Sequence, residues 1–179
     1  MRRRTFDALL SSVGAMLTLT LLVAGGLLMW GAVFSSNEVH NQLAAQKISF
    51  PANNSPEIKA PEFAAMHQYA GQQLVTGAQA EVYADHFLAN HLKAMGMTYS
   101  QASTVAIANP TNAKDAGLVA TIFKGTTLRS ELLEAYGFGL FGQIALVAAI
   151  VAFVLGGVTL VLTLLGLLHF RITPKTTEI

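Results

Sequence analysis

Residues 8–36, ALLSSVGAMLTLTLLVAGGLLMWGAVFSS, and residues 136–168, YGFGLFGQIALVAAIVAFVLGGVTLVLTLLGLL, form two apolar stretches without any Asp, Glu, Lys or Arg. The hydrocarbon core of a bilayer is about 30 Å thick, and a helix needs roughly 20 apolar residues to cross it. Both stretches are longer than that, so the sequence predicts transmembrane helices over residues 8–34 and 136–168. The predicted fold class is all-α, with a two-helix transmembrane hairpin and a helical extracytoplasmic domain inserted between the spans.

The flanks of the two spans predict the orientation of the chain. The basic residues of the two termini are Arg2, Arg3, Arg4, Arg171 and Lys175. Because short flanks rich in Arg and Lys stay in the cytoplasm, residues 1–7 and 169–179 are predicted to be cytoplasmic and residues 35–135 to lie outside. We therefore expect a multi-pass protein of the cytoplasmic (inner) membrane.

A cleaved signal peptide is the alternative for the N-terminus. Ala24-Gly25-Gly26 would serve as its small-residue cleavage site. A signal h-region has about 7 to 15 residues, however, and this apolar run continues through Trp30. We therefore expect an uncleaved anchor.

The composition of the central segment excludes several functions. Residues 37–135 carry six Lys and Arg against eight Asp and Glu, which gives a net charge of −2. This segment has no basic stripe with interleaved aromatic residues, so we expect no nucleic-acid partner. The chain has no Cys, which excludes disulfides, thiolate metal sites and thiol nucleophiles.

Small residues recur at helical spacing in both spans. In lipid, a face of small side chains lets two helix backbones approach closely, and packing replaces the hydrophobic effect. We predict that these seams join the two spans as an antiparallel hairpin; contact with another copy or a partner subunit is the alternative. The seam residues are Ser11, Ala15, Thr18 and Gly25 in the first span and Ala149, Ala152, Gly156, Thr159, Thr163 and Gly166 in the second.

The second apolar stretch is longer than the bilayer requires. Its 33 residues would form a helix about 50 Å long. Counting about 20 residues back from Leu168 reaches Ala149, so the apolar residues before Ala149 should be covered by the central segment, another copy or a partner. The predicted interface residues are Phe138, Phe141, Ile144, Gly156, Thr159 and Thr163.

Helical patterns continue between the spans, and no period-two strand is present. The first span is predicted to extend as a helix to Lys47, and residues 47–61 form a Pro-rich linker in which the prolines exclude a regular element. Capping boxes of the Thr-x-x-Gln type open helices at Thr76 and Thr98. The predicted helices of this segment cover residues 61–68, 77–95, 99–108, 112–124 and 126–135.

Glycines punctuate the end of the central segment. Gly125 is predicted to stop the helix that precedes it. Gly137 and Gly139 are predicted kinks between the last helix of this segment and the second span.

The histidines of the central segment do not form a local metal site. They are His40, His67, His86 and His91. A helical zinc pair needs His at i and i+4, whereas His86 and His91 are five residues apart, about 140° around a helix. His91 falls on the apolar stripe of Ala84 and Phe87, which is typical of a core. We predict no metal and no cofactor.

Signatures of an enzyme are also missing from the sequence. It contains no Gly-x-Ser-x-Gly elbow and no phosphate-binding loop. Glu131 and Glu134 are three residues apart, which suits a solvated helix face as well as a carboxylate pair. We predict no catalytic residue and expect the protein not to be an enzyme.

Three blocks of sequence resemble a family of uncharacterised two-span membrane proteins from actinobacteria. They are AQKISFP at residues 45–51, YAGQQLVTGAQAEVYADHF at residues 69–87 and TLR at residues 127–129. The resemblance covers nearly the whole chain and implies a Gram-positive-type envelope, but it brings no established function. Members are sometimes labelled aromatic ring-opening dioxygenases; such an oxygenase needs two His and a carboxylate on one metal, which this sequence does not supply locally.

The leading hypothesis is a non-enzymatic integral membrane protein whose central domain acts as an interaction or scaffold module. It would form a homo-oligomer or serve as an accessory subunit of a cell-envelope membrane complex. One alternative is an extracytoplasmic ligand-binding or sensing module, with the histidines, Gln72, Gln73 and Tyr83 lining a pocket. A membrane-tethered hydrolase is a third hypothesis.

Overall fold

The computed structural model describes residues 3–172 and Pro174, so Arg2 and Lys175 of the predicted flanks lie outside the described residues. The described chain is helical without a β-strand, and it contains one isolated antiparallel bridge between Ser49 and Gln73. The all-α prediction is therefore confirmed. The helical elements are α1 (Arg3–Gln46), two 3-10 helices (Pro56–Ile58 and Pro61–Tyr69), α2 (Gly77–Val82), a π-helical turn (Tyr83–Leu88), α3 (Ala89–Ala94), α4 (Tyr99–Ala108) and α5 (Ala113–Ile172).

Two of these helices are long and apolar enough to cross a membrane. Helix α1 has 44 residues and α5 has 60. Their most apolar windows have a mean hydropathy of 2.0 and 2.8, respectively, and both windows are mostly exposed. These helices contain the two predicted spans.

The chain divides into two compact units. We call Met1–Phe34 together with Gly142–Ile179 the paired-helix unit, and Ser35–Phe141 the helical unit. Helices α1 and α5 contribute residues to both of them.

In the paired-helix unit, α1 and α5 meet through small residues. Thr18 Oγ1 donates a hydrogen bond to Thr159 Oγ1 at 3.0 Å, and a Cβ added to Gly14 would collide with Thr163 Oγ1. Between Ser11 and Gly25 of α1, the residue numbers in five contacting pairs add to 177 or 178, so over this stretch the two helices run in opposite directions in a constant register. The contacting pairs are Ser11–Gly166, Gly14–Thr163, Thr18–Thr159, Leu22–Gly156 and Gly25–Phe153.

One residue of the predicted seam is wrong. Ala15 is exposed, and Gly14 occupies the seam in its place. The observed seam runs through Ser11, Gly14 and Thr18, in steps of three and four residues. The predicted seam ran through Ser11, Ala15 and Thr18, in steps of four and three residues. Gly14 has no side chain, which allows the close approach to Thr163 that Ala15 would not.

The core of the helical unit is built from larger side chains. Leu43 of α1 and Leu132 of α5 are fully buried in it. The predicted linker also contributes, because Phe50 and Ile58 are buried and Pro56–Ile58 forms a 3-10 helix capped by the Ser55 side chain. The expectation that the prolines exclude a regular element is therefore wrong: Pro is tolerated in the first turn of a helix. The other core residues are Val39, Met66, Leu74, Ala80, Val82 and Ala84.

The predicted stop at Gly125 is also wrong, because α5 continues through this position. It continues through Gly137 and Gly139 as well, and the kinks there stay a prediction. Gly125 and Gly139 both contact other elements. A Cβ on Gly125 would lie 2.9 Å from Leu92 Cδ2, and one on Gly139 would lie 3.5 Å from Gly77 Cα. A glycine inside a helix costs only about 1 kcal/mol, so tertiary contacts determine whether the helix continues.

Both predicted capping boxes are confirmed. The Thr76 and Thr98 side chains accept from the N–H of Gln79 and Gln101, and each glutamine side chain accepts in return from the backbone N–H of its threonine. Helix α4 begins and ends at the predicted residues. The helix predicted over residues 61–68 is present as the 3-10 helix Pro61–Tyr69.

Candidate functional site

A chain of aromatic rings runs through the helical unit. Phe50 contacts Tyr69 at 5.3 Å and Tyr83 at 5.4 Å between ring centroids, and Tyr83 contacts Phe87 at 4.8 Å. Phe87 in turn contacts the His91 ring at 4.4 Å. Tyr83 and Phe87 lie on the π-helical turn, where the Ala89 N–H donates to the Ala84 carbonyl five residues back. Such turns are rare and occur frequently at functional sites.

The π-helical turn changes which face His91 occupies. Ala84 is buried and Phe87 is half-buried, but His91 is exposed, so its predicted place in the core is wrong. An extra residue in one turn rotates the following residues around the helix axis relative to a regular α-helix. The His91 ring packs on Phe87 and Phe63, and its Nδ1 lies 2.7 Å from the Phe87 carbonyl oxygen.

The remaining histidines of the helical unit are dispersed. His40 and His67 are exposed, and His86 is half-buried. His67 Nδ1 lies 2.5 Å from Asn53 Oδ1, so this ring has a hydrogen-bond partner. Among residues 3–172 and Pro174, no three His, Asp or Glu side chains are grouped so that they could hold a metal ion.

The polar residues proposed to line a pocket have structural roles. Gln73 Nε2 donates to the Ala44 carbonyl at 3.1 Å, near the C-terminal end of α1, where this carbonyl also accepts from the Lys47 N–H. Gln72 Oε1 accepts from Gln79 Nε2 at 3.1 Å. Burial raises the pKa of Tyr83, and the nearby Glu57 carboxylate raises it further. The hydrogen bonds of Gln73 and Gln72 join the Gly71–Gln73 turn to α1 and α2.

An ion pair that sequence reasoning missed connects the π-helical turn to α5. Arg129 Nη2 donates to Asp85 Oδ1 at 2.6 Å, and both side chains are partly exposed. The two residues are 44 positions apart, so no local spacing signals their contact.

A cavity of about 470 Å³ lies elsewhere in the helical unit. Its walls come from the end of α3 and the turn after it, the start of α4, and one face of α5. None of the histidines, Gln72, Gln73 or Tyr83 lines it. The lining residues are Leu92, Lys93, Gly96, Met97, Thr98, Tyr99, Gln101, Ile122 and Thr126.

The predicted interface residues fall into two groups. Phe138, Phe141 and Ile144 are exposed, with 42%, 72% and 56% of their surface accessible. Thr163 and Gly156 are buried and Thr159 is half-buried, because all three contact α1 in the paired-helix unit. The second group is therefore occupied within the chain, whereas the side chains of the first group are exposed.

A polar group at the N-terminal end of α1 was not predicted to have a role. His169 Nε2 lies 3.3 Å from Arg3 Nη2 and 3.9 Å from Asp7 Oδ2. Asp7 is four positions before Ser11 and therefore continues the seam, with only 13% of its side chain accessible. His169 follows Gly166 of the seam by three positions, so it lies beside Asp7 at the end of the seam.

Comparisons with models of protein families, with curated proteins and with solved structures find no match to this chain. The resemblance to an actinobacterial two-span family therefore stays a prediction.

Proposed function

We propose that this protein is a non-enzymatic integral membrane protein that presents an interaction module outside the cytoplasmic membrane. Helices α1 and α5 form its transmembrane hairpin, and the helical unit forms the inserted domain. The module assembles with further copies of the chain, or it serves as an accessory subunit of a cell-envelope membrane complex.

The length of the paired helices supports the membrane assignment. From Phe6 to Trp30, α1 has about the length that a 30 Å hydrocarbon core requires with some tilt, and residues 148–172 of α5 have the same length. Trp30 lies at one end of this stretch of α1, and tryptophan is enriched at the bilayer interface.

The observation that carries the proposed assembly is the exposed apolar surface on α5 before residue 148. Phe141 has 72% of its surface accessible, and Phe138 and Ile144 are exposed as well. Phe138 and Phe141 precede residue 148, where the proposed span of α5 begins, so lipid chains do not cover them. A cluster of large exposed apolar side chains marks an interaction site.

Disulfide crosslinking tests whether the occupant is another copy. The chain has no Cys, so a Phe141→Cys variant carries one thiol. We expect oxidation of native membranes to convert this variant into a disulfide-linked dimer. Ser130→Cys is the matched control, because Ser130 is also exposed on α5 but lies in a polar stretch. Equal dimer formation at both positions would reflect random collision and contradict a specific homo-oligomer.

Photocrosslinking distinguishes the accessory-subunit form of the proposal. A p-benzoylphenylalanine side chain at position 141 is expected to capture a specific membrane protein, identified by mass spectrometry, when the same probe at position 130 captures none. If the protein is strictly monomeric in mild detergent and neither chemistry yields an adduct at position 141, the interaction function is refuted.

A ligand-binding module is the second candidate function, and the cavity of about 470 Å³ is the observation that favours it. Its lining residues differ from those predicted from the sequence. A change in melting temperature with a small ligand, lost when the cavity is altered, would support this function over a purely structural module.

A further inference from the structure

The walls of the cavity in the helical unit combine apolar and polar groups. The apolar walls come from Leu92, Met97 and Ile122, and the rim is formed in part by Tyr99, whose ring lies 5.7 Å from that of Phe123. Its volume of about 470 Å³ is within the range of small-molecule sites, which is roughly 300 to 1,000 Å³. The cavity is therefore large enough for a small organic ligand.

Local backbone geometry defines the shape of this cavity. Gly96 has a φ of +72°, a conformation that lets the chain reverse after α3. The capping box of Thr98 and Gln101 then fixes the first turn of α4. Leu92 packs directly against Gly125 of α5, which holds α3 close to α5 beside the cavity. The walls are thus positioned by contacts that need no ligand.

The polar groups of the lining favour an anion. Lys93 is the charged residue of the lining, and no Asp or Glu accompanies it. Gln101 Oε1 is engaged by the backbone N–H and the hydroxyl of Thr98, so the amide of Gln101 offers its N–H donors to a ligand. A cation and an amide donor together suit a carboxylate.

We propose that this cavity binds a small amphipathic anion, with an apolar chain against Leu92, Met97 and Ile122 and a carboxylate at Lys93 and Gln101. The site is independent of the interaction surface at Phe141, since it uses other residues and a different ligand. It gives the domain a ligand-dependent property in addition to assembly.

The test uses the full chain in phosphatidylcholine nanodiscs with 13C-labelled methionine methyl groups. Met97 lines the cavity, Met66 is buried in the core, and Met16 and Met29 lie on α1, so these four of the six methyl groups report on the cavity, the core and α1. Met97→Leu assigns the reporter signal. We expect octanoate to shift the Met97 signal saturably, with no saturable shift at Met66, and octan-1-ol, its neutral counterpart, to bind more weakly.

Two variants test the recognition of the carboxylate. Lys93→Gln removes the cation, and we expect it to weaken octanoate binding about tenfold while leaving octan-1-ol binding unchanged. Gln101→Glu keeps a residue that completes a capping box but adds a negative charge to the lining, so it should also weaken octanoate binding. Lys114→Gln is the matched control, because Lys114 is an exposed lysine outside the cavity.

Several results would overturn the proposal. The first is the lack of a saturable shift at Met97. The second is a parallel, non-saturating shift of Met97, Met16 and Met29, which would show that octanoate only partitions into the lipid. The third is equal binding of octanoate and octan-1-ol together with no effect of Lys93→Gln, which would show that the cavity does not select an anion.

Discussion

Helices α1 and α5 pack through small residues in one unit of the chain and through large apolar side chains in the other. In the paired-helix unit they meet through Gly, Ser and Thr, and the leucines and valines of both helices are largely exposed. In the helical unit the same two helices contribute Leu43 and Leu132 to a core that includes aromatic rings. The same two helices therefore bring their backbones close together in the paired-helix unit and bury large side chains in the helical unit.

This difference is what we expect if the paired-helix unit lies in lipid, as proposed, and the helical unit lies in water. In water, burying apolar surface stabilises a fold by about 25 cal/mol per Å². In lipid this driving force is absent, and helices associate through close packing and hydrogen bonds between them. The Thr18–Thr159 hydrogen bond and the glycine contacts suit lipid, whereas the buried leucines suit water.

The largest effect is expected from a cavity in the core of the helical unit. Leu132 is fully buried, so Leu132→Ala should lower the free energy of unfolding of this unit by about 2 to 5 kcal/mol. Hydrogen exchange and urea unfolding of the full chain in nanodiscs measure the loss. Ile107→Ala is the control: Ile107 is 80% exposed, and its loss should change stability by less than about 0.5 kcal/mol. Similar effects of the two variants would show that this unit does not rely on a hydrophobic core.

A smaller effect is expected from enlarging a seam glycine in the paired-helix unit. A Cβ on Gly156 would lie 3.1 Å from Leu22 Cδ2, whereas one on Gly157 would meet no atom within 4 Å. Gly156→Leu should therefore cost about 1 to 3 kcal/mol of helix pairing, and Gly157→Leu is the matched control.

Disulfide formation between Ser11→Cys and Gly166→Cys measures this pairing, because a Cβ on Gly166 would lie 2.9 Å from Ser11 Oγ. We expect the disulfide yield to fall with Gly156→Leu and to persist with Gly157→Leu. A yield that is insensitive to both changes would contradict a seam held together by close approach.

Features encoded by local chemistry were predictable from the sequence. The two apolar helices, the capping boxes at Thr76 and Thr98, and most seam residues follow from composition and spacing over a few positions. Both ends of α4 were predicted correctly because Thr98 caps its first turn and Asn109-Pro110 follows its last residue.

Features that depend on contacts distant in sequence were not predictable. Whether Gly125 stops a helix or admits Leu92 is decided by a residue 33 positions earlier in the chain. The π-helical turn at Tyr83–Leu88 and the Asp85–Arg129 ion pair also leave no local signal, so the exposure of His91 was missed. The cavity joins residues of α3, α4 and α5, and no pattern along one helix indicates it.

Removing a helix cap is expected to have a local effect that is smaller again. Thr98→Ala deletes the hydroxyl that accepts from the Gln101 N–H and should destabilise α4 by about 1 kcal/mol. Thr104→Ala is the control, because the Thr104 hydroxyl only donates to the Ser100 carbonyl within the helix. Hydrogen exchange of α4 amides measures both variants, and equal protection in the two would contradict a capping role for Thr98.

The smallest effect concerns the aromatic chain of the helical unit and appears only in alkaline solution. Burial, with a further contribution from Glu57, raises the pKa of Tyr83 above its ordinary value of 10.0. Because the folded state holds this proton more tightly, its contribution to stability is fully present below pH 10 and is lost as pH rises through the folded pKa. Stability of the helical unit should therefore fall above pH 10, and this fall should be shallower in Tyr83→Phe.

Glu57→Gln should reduce the fall only in part, since burial is the larger cause. Urea midpoints compared across this pH range measure the slopes, and an identical slope in wild type and Tyr83→Phe would show that the Tyr83 ring is not desolvated as the packing with Phe50 and Phe87 requires.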